Sequence, residues 1–210
     1  MKTILCFGDP STWGYEPGTG DRYGPKQRWP GIMRDILGPR AAIVEEGLSG
    51  RTTVWDDPLE GFKNGKDYLI PCLESQRPLD LIVIMLGTND CKARFSLTPN
   101  DISAGVAALG KIALSSEAGP GSTAPLLLLM APPPLGPLTG LADMYKDGSE
   151  KSRKLSQLYK AEAEKLGCSF FDAGSVAPVS DIDGVHLSRS SHDALGGAVS
   201  RICMPLLGLS

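Results

Sequence analysis

Apolar residues along this chain collect into short runs that alternate with stretches of helical spacing. Thr3 to Phe7 is such a run, ending in Gly-Asp-Pro, and reads as a buried strand opening into a loop. Leu79 to Leu86 (LDLIVIML) is the strongest, with the Ile, Val and Leu content of a central parallel strand covered on both faces. Ala124 to Ala131 is another, halted by Pro132-Pro133-Pro134. Ala41 to Val44 and Cys168 to Phe171 complete five predicted strands. Between them the period changes. From Pro30, GIMRDILG places Ile32, Met33, Ile36 and Leu37 on one helical face, with Gly38 as a stop. Residues 99–115 and 190–207 read as helices, and Tyr68 to Ser75 as a short one. Residues 149–166 form an amphipathic helix with Leu155, Leu158, Tyr159 and Ala163 near one stripe. Residues 14–30, 56–67 and 132–148 read as loops.

Strands alternating with helices predict a three-layer α/β/α fold, flavodoxin-like, with a mainly parallel five-stranded sheet. At 210 residues the chain predicts one domain, 1–210, with no internal repeat or linker. The net charge of −3 is weak and the basic residues are scattered, which argues against a nucleic-acid partner. No apolar run approaches the length of a signal peptide's core or a membrane span. Five widely spaced cysteines without a Cys-x-x-Cys read as reduced thiols, neither a disulfide framework nor a zinc site. These features point to a soluble cytoplasmic protein without metal or cofactor.

The residues with chemistry to offer follow the strands, where ligands of such sheets bind. Asp9 to Thr12 follow the first, Ser49 and Gly50 the second, and Asn89 the third. Near the C-terminus stands Asp183-Gly184-Val185-His186, which holds one of only two histidines. Gly184 lets the backbone turn so that carboxylate and imidazole face one pocket. Such a pair can take a proton from a hydroxyl nucleophile. Asn89 offers a side-chain amide and Gly50 an unobstructed backbone N–H, both suited to a developing oxyanion. Trp13, Tyr15, Tyr23 and Trp29 are aromatic candidates for a pocket wall, with Asp9 and Thr88 beside the loops. His192 reads as a helix-start or surface residue, and the adjacent Asp56 and Asp57 as solvated.

Four segments together resemble the SGNH, or GDSL-type, hydrolases. Phe7-Gly8-Asp9-Pro10-Ser11-Thr12-Trp13-Gly14 resembles the first block and Gly47-Leu48-Ser49-Gly50 the second. Gly87-Thr88-Asn89-Asp90 resembles the third and Asp183-Gly184-Val185-His186 the fifth. EEGLSGRTT, DLIVIMLGTND and FFDAGS are most similar to the bacterial arylesterase/acyltransferase branch. The resemblance implies an acyl-enzyme mechanism on small esters, resolved by water, alcohol or peroxide. It implies His186 as base, Asp183 as orienter, and Gly50, Asn89 and the nucleophile's own N–H as oxyanion hole. It also implies a closed homo-oligomer, to which the apolar residues of loops 14–30 and 132–148 would contribute.

One position departs from the pattern. The family's serine directly follows Gly-Asp, and here that residue is Pro10, which has neither hydroxyl nor N–H. Either a one-residue shift brings Ser11 into the role as nucleophile and oxyanion donor, or the chain is a disabled esterase that binds ligand or serves as a scaffold. An altered sequence at that position is a third possibility. The shifted loop is chemically complete and is the expectation. A flavin or nucleotide binder would share the sheet, but no Walker-type phosphate loop is present.

Overall fold

In the computed structural model, which describes residues 1–209, the apolar runs become β1 (Lys2–Gly8), β2 (Ala41–Gly47), β3 (Leu81–Met85), β4 (Leu126–Ala131) and β5 (Ser169–Asp172). They pair in parallel in the order β2-β1-β3-β4-β5. Successive side chains on a strand point to opposite faces, so a strand covered on both sides must be apolar throughout. On β1, Leu5 and Phe7 enter one core, while Ile4 and Cys6 enter the other. On β3, Ile82 and Ile84 oppose Leu81, Val83 and Met85 in the same way.

The helices are α1 (Pro10–Trp13), α2 (Trp29–Leu37), α3 (Gly65–Gln76), α4 (Pro99–Leu114), α5 (Gly148–Leu166) and α6 (Arg189–Leu206). α3, α4 and α5 close the first core, and α2 and α6 the second. Their apolar spacing explains the docking. Trp29, Met33 and Leu37 recur every four residues on α2, and Leu195, Val199 and Cys203 do so on α6; all six are fully buried. A large apolar side chain so buried contributes about 1.5–3 kcal/mol. No helix of the described residues is long and apolar enough to cross a membrane.

Three sequence expectations need correction. His192 lies at the start of α6 but is fully buried, and its Nδ1 accepts the Trp29 N–H at 3.2 Å. α2 has no side-chain cap of its own, and this ring from another helix supplies one. Burial first, then the charges of Arg189 and Arg28, push its imidazole down to about 3. Asp57 does not face water either. Its carboxylate accepts the N–H groups of Leu59 and Glu60 and pairs with Arg94 at 3.3 Å. Finally, Trp29, Leu135 and Tyr145 pack inside the chain, so these members of loops 14–30 and 132–148 offer no surface for self-association. The most exposed large apolar side chains beyond Met1 are Leu59 and Phe62 in another loop.

Candidate active site

Where β1 ends, Asp9 caps the four-residue helix α1, at a place where the sequence pattern predicts a loop. Asp9 Oδ1 accepts the Ser11 N–H at 3.0 Å. Pro10 takes the first helical position, where a missing N–H leaves nothing unpaired. The turn is pressed against the end of β2. A Cβ on Gly47 would stand 2.1 Å from the Trp13 nitrogen, so only glycine permits this approach. The cap and this contact together hold the register of residues 9–13.

Behind β2, the Leu48 N–H donates to Gly8 at 3.1 Å and the Arg51 N–H to Leu48 at 3.1 Å, which turns the chain at Ser49-Gly50. Gly50 adopts φ of 83°, and among the described residues its N–H has no acceptor. Asn89 opens a 3₁₀ turn after β3. Its side-chain amide donates one N–H to the Arg51 carbonyl at 3.1 Å, which fixes the group and leaves its second N–H available.

The Asp183–His186 turn completes the arrangement. Asp183 Oδ1 accepts the Val185 N–H at 2.9 Å and the His186 N–H at 3.0 Å, while Oδ2 lies 2.7 Å from His186 Nδ1. Burial is the largest influence on Asp183 and would raise its pKa. The His186 and Val185 donors outweigh it and hold the carboxyl below the usual range. An ionised carboxylate only accepts, so Nδ1 carries the imidazole proton and Nε2 keeps its lone pair. Burial also dominates at His186, lowering its pKa below the ordinary value against the raising effect of Asp183. The Tyr15 ring stacks on the imidazole, with centroids 4.0 Å apart.

A cavity of about 610 Å³ joins these parts. Pro10, Tyr15, Ser49, Gly50, Asn89, Asp183 and His186 line it, together with Glu60, Lys63, Lys92 and Tyr145. Ser11 does not, and neither do Asp9, Trp13, Thr88, Tyr23 or Trp29. The one-residue shift expected from the sequence is therefore not the arrangement observed. Pro10 faces the cavity, and the Ser11 N–H is taken by Asp9.

Asp9 and Asp90 are both buried. Burial raises Asp9 to about 7 against the Ser11 N–H bond, and raises Asp90 to about 6 against the Thr53 donors. A raised carboxyl binds a proton in the folded chain that the unfolded chain has released. Stability from these groups therefore falls as pH climbs from about 4 to about 7. The two lowered imidazoles act in the opposite direction, so the comparison must be with a variant. Thermal melts across this window should show Asp9→Asn gaining stability over the parent toward the alkaline end. A constant difference between the two would contradict the Asp9 shift.

The sequence model of the GDSL-like lipase/acylhydrolase family matches residues 6–194. The chain belongs to this family. The native M. smegmatis aryl esterase superposes with a TM-score of 0.94 at 41% identity, covering 99% of this chain and 100% of that one. A carbohydrate acetylesterase from Sinorhizobium meliloti gives 0.95 at 43%, covering 98% and 100%. A lipase/acylhydrolase from Enterococcus faecalis, at 20% identity and TM-score 0.71, covering 98% and 96%, shares the fold. No curated protein sequence matches. Sequence reading of this GDSL-like chain missed Glu60, Lys63 and Lys92 on the cavity wall. The only signal was Lys92 standing two residues after the third block; Glu60 and Lys63 sit in a polar loop with no pattern to mark them.

Proposed function

We propose that this chain hydrolyses small carboxylic esters, with the ester carbonyl held between Asn89 and Gly50 and His186 acting as general base. The observation that carries this reading is the Asp183–His186 pair opening into the same cavity as those two N–H donors. A base, an orienter and oxyanion donors are the parts of ester cleavage other than the nucleophile. The aryl esterase and carbohydrate acetylesterase relatives, alike over nearly the whole chain, support acetyl and aryl esters as the substrate class. Pro10 favours a second reading, a protein that binds such esters without turning them over.

Hydrolysis of p-nitrophenyl acetate by the pure protein separates the two. The first reading expects slow turnover that falls about a hundredfold in His186→Ala, the lower range for a general base. Asp183→Asn should fall comparably, because an amide admits the wrong imidazole tautomer. The base must be neutral to act, and its pKa is lowered. The rate should therefore rise with pH through a limb below about 6.5. Hydrolysis undiminished in His186→Ala would end the esterase reading, and saturable binding without hydrolysis would establish the second.

A further inference from the structure

We propose that the nucleophile in this site is a water molecule activated directly by His186, so that ester cleavage is a single displacement without an acyl-enzyme. This inference rests on the esterase reading above. Pro10 lines the same cavity as His186, and proline has no group to attack with. The hydroxyls that do line the cavity belong to Tyr15, Thr19, Ser49, Thr139 and Tyr145. Among the described residues none of them is hydrogen-bonded to His186. Ser49 Oγ is buried away from any partner, and burial holds the Tyr145 proton more tightly than usual. Ser11 lies outside the lining, its N–H spent on Asp9. With Nδ1 committed to Asp183, the Nε2 lone pair faces a cavity in which no protein hydroxyl offers it a proton.

The water step balances with the groups present. Nε2 takes one water proton as the water oxygen bonds to the ester carbonyl carbon. The carbonyl π pair moves to its oxygen, which Asn89 and Gly50 receive. Asp183 stabilises the imidazolium, and the Tyr15 face stacked on the ring favours the same cation. The tetrahedral species then collapses, the bond to the alkoxy oxygen breaks, and the imidazolium returns its proton to that leaving oxygen. Acid and alcohol depart with His186 neutral again. Acyl transfer in such a site requires the acceptor itself to sit where the water does.

The test uses the whole chain with p-nitrophenyl acetate and phenyl acetate. A single displacement has the leaving group in its only chemical step, so kcat should differ between the esters. The first turnover should show no burst, the intact mass of protein quenched during turnover should be unshifted, and a fluorophosphonate should leave the chain unlabelled. Pro10→Ser supplies the positive control and should gain both burst and label at position 10. An acetyl adduct on Ser11, Ser49 or His186, or an equal kcat for the two esters, would overturn the water step while leaving the esterase reading intact. Absence of any His186-dependent hydrolysis would instead remove the esterase reading, and the water step with it.

Discussion

Replacing Pro10 by serine should raise p-nitrophenyl acetate turnover a hundredfold or more. The position already faces His186, Asn89 and Gly50 across one cavity. It is the first residue of α1, and serine accepts that backbone without moving the Asp9 cap or the Gly14 stop. The change restores a hydroxyl that His186 can deprotonate. It also restores a backbone N–H, a third oxyanion donor of the kind worth roughly 3–4 kcal/mol in the transition state. Deleting the nucleophile of a complete serine-hydrolase site costs about 10⁶ in kcat. A hundredfold is therefore a modest expectation for a site that has not been refined around the new side chain. Steady-state kinetics of the variant beside Ser11→Ala checks it. If Pro10→Ser changes nothing and Ser11→Ala removes the activity, the hydroxyl belongs to Ser11 and the chemistry runs through the shifted register.

Gly184→Ala should be strongly damaging, destabilising the chain by about 2–5 kcal/mol. Gly184 sits at φ of 72°, and a Cβ there would lie 2.2 Å from the Pro137 carbonyl oxygen. A non-glycine residue in the left-handed region costs about 1–2 kcal/mol, and forcing an atom into packed backbone about 1–3 more. The obstruction is backbone, so no rotamer change relieves it. The Gly136 N–H donates to the Gly184 carbonyl at 2.8 Å, so the 132–148 loop and the Asp183–His186 turn move together. Urea denaturation measures the loss, and the esterase rate should fall with it as the imidazole leaves its place. A variant within about 0.5 kcal/mol of the parent would show that the two loops yield easily.

The sheet was legible because its inner strands need apolar side chains on both faces, and LDLIVIML has them. α2 was legible through helical spacing, although of that face Met33 and Leu37 enter the core while Ile36 stays exposed. α1 was not, since four residues cannot display a helical period and its formation depends on the Asp9 cap and the fit against Gly47. The same contacts hold Pro10 in the cavity, so the choice between Pro10 and Ser11 could not be made from local sequence. Asp183, His186, Gly50 and Asn89 were readable as a constellation because each follows a strand or a tight turn. His192 was not: a histidine in the first turn of a helix looks solvated until the partner across the fold, the Trp29 amide, is known.

That capping bond has a spectroscopic consequence. The chain has two imidazoles, and one of them is locked as an acceptor with its pKa near 3. Protonating His192 would place a positive ring against a backbone donor, so its resonances should stay still until α2 loosens from α6. Every shift of a histidine C–H signal near neutrality then belongs to His186. Its proton affinity can be followed directly by ¹H NMR in the unlabelled protein, with or without an ester analogue in the cavity, and without any turnover.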